Sequence, residues 1–177
     1  MEVAILREYR GLYPRVGNNV YLADDVVLIG DITIADDCSI WWGTVMRGDC
    51  GAIVIGRGSN VQEQSMIHAT TDHSTVRLGE NVTVGHQALI HGASVDDGAL
   101  VGMSSTLLDL AHVGAFSIVA AGAVVPESMQ VPGDHLVAGV PARIKKELPP
   151  ENREAGLLRA QEYRELAAIY IAQESKT

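Results

Sequence analysis

Residues 95–125 read VDDGALVGMSSTLLDLAHVGAFSIVAAGAVV. Val95, Val101, Leu107, Val113, Val119 and Val125 are each six apart, and Ala99, Ser105, Ala111, Ser117 and Ala123 follow the first five by four. A helix has a period of about 3.6 residues and a half-buried strand a period of about 2. Six is neither. It fits short strand faces joined by regular corners, each face turning one large and one small residue inward. That is an all-β hexapeptide β-helix with three faces per turn.

The same period extends towards the N-terminus. Val16, Leu22, Leu28, Ile34, Ile40 and Met46 keep it, with Val20, Val26, Ile32, Cys38 and Thr44 as the second set. It resumes at Ile55, Val61 and Ile67 with Ser59 and Ser65, and again at Leu78, Val84 and Ile90 with Val82, Ala88 and Ser94. All 18 first positions are Val, Ile, Leu or Met, types that supply only 53 of the 177 residues, so chance does not produce the pattern. Gly or Ala often comes next, as at Gly56, Gly79, Gly85, Gly102 and Gly114, which suits a tight corner. After Val125 the pattern decays through PESMQVPGDH and ends in LVAGVPARIKKEL.

The register breaks three times. Met46 to Ile55 is nine residues, Ile67 to Leu78 eleven and Ile90 to Val95 five. A packed repeat tolerates insertions where chain bulges outward. The first two breaks carry RGDCGA and ATTDHST, so they mark the functional edge of the prism. The expected organisation is a β-helix over 1–148 and a packed helix over 149–177. Pro150 suits the first turn of that helix, and Tyr163, Leu166, Ala167 and Tyr170 form its apolar stripe.

Composition narrows the function. Lys plus Arg is 13 against 22 Asp plus Glu, a net charge of −9, which argues against nucleic acid and anionic membranes as partners. No apolar run approaches the roughly 18 residues of a membrane span, and MEVAILREYRGLYPR lacks the apolar stretch of a signal peptide. Two cysteines, Cys38 and Cys50, make no disulfide framework and suit a reducing cytoplasm. The chain has only eight aromatics (five Tyr, two Trp, one Phe). At least one of Trp41 and Trp42 must point outward after the inward Ile40, and a subunit interface is the expected cover for it.

Six histidines are present. His68 and His86 are 18 apart, three periods, which places them about one coil apart; His91 lies five further on. Each follows an inward aliphatic residue by one or two positions, so all three project outward near corners. Three clustered imidazoles beside a register break are a candidate site for a divalent metal, with the open position of catalytic zinc. His73, in the inserted loop, is a possible proton relay. His112 and His135 have no expected role.

RGD at 47–49, NVQEQSMIH at 60–68 and VGHQALIHG at 84–92 resemble the γ-class carbonic anhydrases and their bacterial homologues over roughly residues 10–172. The resemblance implies a left-handed parallel β-helix with a C-terminal α-helix, assembled as a homotrimer. It implies metal sites between subunits, with His68 and His91 from one chain and His86 from the next. Arg47 and Asp49 match an interface ion pair, Asn60 and Gln62 match amides near the metal-bound water, and Tyr163 matches a tyrosine supplied by the terminal helix. This chain departs from the family's founding type at Cys50, where that type has glutamate, at Glu63, where aspartate is common, and in the short loop after His68. Glu63 is a further possible relay.

The expected function is reversible hydration of carbon dioxide to bicarbonate. Three neutral imidazoles leave the metal's charge intact, so bound water ionises near neutral pH, with Gln62 orienting it and Arg47 holding bicarbonate. Imidazole ligation makes Zn2+ the default cofactor; Fe2+, Co2+ or Ni2+ suit the same donors. The alternatives are a metal-dependent thioester hydrolase, a trimeric scaffold that retains the metal site, and a hexapeptide acyltransferase with a histidine base.

Overall fold

A computed structural model describes residues 4–174 as twenty short strands followed by one helix, Glu151–Glu174. The strands stack in parallel into a left-handed solenoid of about seven turns. The first face stacks Met66–His68, Leu89–His91, Thr106–Leu107 and Val124–Val125 on the beginning of the long strand Val45–Ile55. The second stacks Val76–Leu78, Ser94–Val95, His112–Val113 and Gln130–Val131 on its end. The third runs from Tyr21–Leu22 through Asn60–Val61 and Thr83–Val84 to His135–Ala138. Two corners matter for function: edge one, between the first and second faces, and edge two, between the third and first.

Inward residues form continuous columns. On the first face Leu28, Met46, Ile67, Ile90, Leu107 and Val125 pair in register, and all are buried. The corners explain the six-residue period. Three residues after the inward large residue, the chain turns through the left-handed region, with φ of 54–62° at Asn19, Asp37, Gln64, Asn81, Gln87, Ser104, Leu110, Phe116, Ser128 and Asp134. Asn and Asp tolerate that conformation; Leu110 and Phe116 adopt it at a steric cost. The glycines directly after the large residues serve another purpose. A Cβ on Gly56 would lie 2.3 Å from the Gly79 carbonyl oxygen, so glycine there lets successive coils approach.

Several expectations change. The repeat does not decay after Val125: Val131 and Val137 continue it, both buried. The Pro and His residues between them tolerate the corners without breaking the inward column. Ser94 is not an inward residue. The five-residue break drops one position, so Ala93, two before Val95, takes the interior. The first break is not a loop: Val45–Ile55 is one extended strand, and its extra residues pass between the Gly30–Gly48 and Ile32–Ile53 pairs. The last strand, Arg143–Glu147, runs antiparallel to His135–Ala138 and closes that end of the third sheet.

The helix lies along the third face, beside Tyr21–Leu22, Ser39–Ile40, Asn60–Val61 and Thr83–Val84. Gly156, Ala160 and Ala167 sit against the sheet, and Tyr163 and Tyr170 are half-buried beside them. Leu166 is exposed, because one residue rotates about 100° around the axis and the stripe is centred on Ala160 and Ala167. Trp41 needs no second subunit to cover it. It is buried under this chain's own helix, with ring centroids 5.2 Å from Tyr21, 5.6 Å from Tyr163 and 5.5 Å from Tyr170. Arg164 donates to Asn81 at 2.6 Å and Asn152 to the Phe116 carbonyl at 2.8 Å, which fixes the helix along its length. Among the described residues no helix is long and apolar enough to cross a membrane.

Candidate metal centre

Edge one is built by register. Arg47, His68 and His91 each follow an inward residue by one position, and those residues pair coil to coil. His91 stands directly over His68 as its Cα partner. His68 Nδ1 and His91 Nε2 are 3.2 Å apart. His68 Nε2 lies 3.2 Å from Asp49 Oδ1 and 3.1 Å from the Arg47 guanidinium. Arg47 also donates to Asp49 Oδ2 at 2.8 Å. Arg47 and Asp49 pair within the chain, because residues two apart on an extended strand point to the same side. Burial, and then the Arg47 charge, push the His68 pKa below its ordinary value, which favours the neutral ring that metals bind.

The 18-residue spacing of His68 and His86 does not stack them. The insertion after His68 lengthens that coil to 23 residues, so His91 falls on His68 and His86 falls on Glu63. His86 Nδ1 lies 2.6 Å from Glu63 Oε2 at edge two.

Edge two gathers the remaining candidates. Asn60 and Gln62 face outward from the third sheet yet are buried beneath the helix. Asn60 donates to Thr83 Oγ1 at 3.0 Å, and Gln62 donates to Asn60 Oδ1 at 3.1 Å. Gln62, Thr83, His86, Met103, Arg159 and Tyr163 line a cleft of about 320 Å³. Burial pushes the Tyr163 pKa up, and the charges of Glu63 and Glu162 add to it. Tyr163 is therefore a neutral hydroxyl at physiological pH.

His73 sits on the inserted loop with Nε2 3.7 Å from Glu127, and among the described residues no hydrogen bond joins it to His68 or His91. Two groups escaped the reading of the sequence. Asp49, Cys50 and His68 have potential ligand atoms within 4.8 Å of one another. Asp109 Oδ2 lies 3.1 Å from His91 Nδ1, and Asp109 also accepts from the Ser74 and Thr70 hydroxyls. Burial works against that carboxylate, but the hydrogen bonds outweigh it and hold its pKa below the usual range. Asp109 is 18 residues after His91, so coil arithmetic carried one turn further would have found it.

No protein-family model matches the sequence. The chain is 37% identical over 169 residues to gamma carbonic anhydrase 2, mitochondrial, of Arabidopsis thaliana, covering 93% of this chain and 61% of that one. It thus spans about three fifths of that relative's length. It is 37% identical over 165 residues to a carbonic anhydrase of Geobacillus kaustophilus, covering 93% of this chain and 90% of that one. Among solved structures, a hexapeptide transferase family protein from Anaplasma phagocytophilum superposes with a TM-score of 0.89 at 32% identity, covering 94% of this chain and 98% of that one.

Proposed function

The chain belongs to the gamma carbonic anhydrase family, and from that premise we propose that it hydrates carbon dioxide reversibly to bicarbonate at divalent-metal sites between the subunits of a homotrimer. One observation carries the reading: two imidazole nitrogens 3.2 Å apart on edge one, with a third exposed imidazole on edge two of the same face. Two nitrogens each about 2.0–2.1 Å from one tetrahedral ion stand about 3.3 Å apart, so the donors fit a metal. Asp49 is a weaker ligand than His86 because Arg47 and His68 already engage both its oxygens.

The first face lies between the two edges. Its outward ladder of Val27, Val45, Met66, Leu89, Thr106 and Val124 is apolar but for Thr106 and only half-covered in one chain. Three copies with this face towards a common axis bring edge one of each against edge two of the next. His68 and His91 then meet the neighbour's equivalent of His86. Zinc is the default ion, and iron, cobalt or nickel suit the same donors. When bound, such an ion is a Lewis acid that lowers the pKa of water from 15.7 to about 7.

The chain's own residues do the rest. Gln62, braced by Asn60, offers an amide oxygen that orients the attacking water. Arg47 keeps donors for bicarbonate oxygens beyond the one it spends on Asp49. The neutral Tyr163 hydroxyl borders the cleft, and Glu63, beside His86, and His73, on the inserted loop, are the proton relays of this reading. Two free cysteines suit a cytoplasmic setting.

Stopped-flow hydration of carbon dioxide, with elemental analysis of the same sample, tests the reading. Metal-dependent hydration supports it. A metal-replete trimer without hydration would move the assignment to a thioester hydrolase or a scaffold. An acyltransferase reading also has an observation behind it: the Glu63–His86 pair has the form of an oriented general base beside a cleft. Thiol release from acetyl-CoA by the metal-free protein that depends on an added hydroxyl or amine acceptor would favour that reading.

A further inference from the structure

We propose that Asp109 is a positioning residue, held by the inserted loop, that selects the tautomer of His91 and aims Nε2 at the site; this rests on reading the site as a metal centre. A neutral imidazole carries its proton on one nitrogen only. His91 Nδ1 lies 3.1 Å from Asp109 Oδ2, and an ionised carboxylate only accepts, so the proton sits on Nδ1. Nε2 is left as a lone pair, and it is this atom that faces His68 Nδ1 at 3.2 Å.

The carboxylate is itself aimed. The Thr70 hydroxyl donates to Asp109 Oδ2 at 3.1 Å, and the Ser74 hydroxyl donates to Oδ1. Ser74 Oγ also accepts the Thr70 backbone N–H at 3.0 Å, so loop and carboxylate form one closed network. Gly92 supplies the room. A Cβ there would lie 1.9 Å from Asp109 Oδ1 and 2.2 Å from Ser74 Oγ, and any side chain would drive the network apart. The insertion that lengthens one coil to 23 residues therefore has a function: it brings two hydroxyls to a carboxylate two coils further on.

Asp109→Asn is the decisive change. An amide has one acceptor oxygen where the carboxylate has two, so it cannot serve His91, Thr70 and Ser74 together. Two measurements follow. Long-range ¹H–¹⁵N spectra of the metal-free full-length protein should show His91 protonated at Nδ1 in the parent, and mixed or protonated at Nε2 in Asp109→Asn. Chelator competition with Zn2+ should show about 10–100-fold weaker binding in Asp109→Asn, the range typical of losing an outer-shell partner. Ser74→Ala, which keeps the carboxylate, should weaken binding less and leave the tautomer in place; it also serves if Asp109→Asn does not fold. A parent His91 protonated at Nε2, or a variant with unchanged tautomer and unchanged Zn2+ affinity, overturns the proposal. A parent with the Nδ1 tautomer that binds no Zn2+ overturns the metal centre and leaves the tautomer assignment standing.

Discussion

Edge one and edge two carry similar residues in opposite states. On edge one every polar group is tied to another in the same chain: Arg47 to Asp49, His68 to His91, and His91 to Asp109. On edge two, among the described residues, His86 has the single side-chain partner Glu63 and remains 42% exposed, beside an open cleft. The first is a pair of adjacent nitrogen donors, and the second a single imidazole backed by one carboxylate. Two half-sites on either side of one largely apolar face are what the proposed trimer would join.

The largest test of this contrast is His91→Ala. It should remove nearly all bound metal, a greater loss than the roughly 10–100-fold expected for an outer-shell partner. The β-helix should remain folded by circular dichroism, because His91 points outward and its inward neighbour Ile90 is untouched. A protein that keeps one metal per chain after this change would break the assignment of edge one.

Next comes a test that joins the edges. His68→Ala and His86→Ala chains, each inactive alone, should complement when refolded together. In a one-to-one mixture about a quarter of the interfaces pair an intact edge one with an intact edge two, and metal and hydration should recover to about that fraction. No recovery from properly mixed trimers would place each site within a single chain.

A smaller effect is expected at the loop. His73 is the imidazole of the inserted loop, and imidazole is the side-chain type suited to proton transfer near neutral pH. His73→Ala should lower the hydration rate several-fold in dilute buffer and leave it unchanged in concentrated imidazole. A parent rate that is flat with buffer concentration would show a relay elsewhere, with Glu63 at edge two the next group to replace.

The smallest effect separates edge from interior. Cys50 is partly exposed at edge one, whereas Cys38 is fully buried, and burial pushes its thiol up to about 11 from 9.0. Cys50 should react with a thiol reagent in the native protein and Cys38 only on unfolding. The raised value means the native state holds a proton that the unfolded chain releases first. That contribution is intact below pH 9 and is lost as pH rises towards 11, at about 1.4 kcal/mol per pH unit. Urea unfolding midpoints of the parent and Cys38→Ala between pH 8 and 11 would detect it as a steeper fall in the parent than in the variant.

How far the sequence could be read follows from what each feature depends on. The inward columns depend on local spacing alone, so Val95 to Val125 announced the fold, and the same spacing would have yielded Val131 and Val137 had the count been carried past Pro126. The outward position of His68 and His91 also follows from spacing, because each stands beside an inward Ile. The partner of each outward residue does not. A coil is 18 residues only where nothing is inserted, and the five extra residues after Ile67 make one coil 23. Local pattern shows that a loop is present, but strand register alone shows that it moves His86 off His68 and sets His91 there instead. Trp41 behaves in the same way: its sequence neighbours mark it as outward, and only the docking of a helix more than a hundred residues later shows what covers it. Period and composition are properties of the chain read in order, and they determined the prism. Which side chains meet across its edges is a property of pairing between distant segments, and only the tertiary structure decided it.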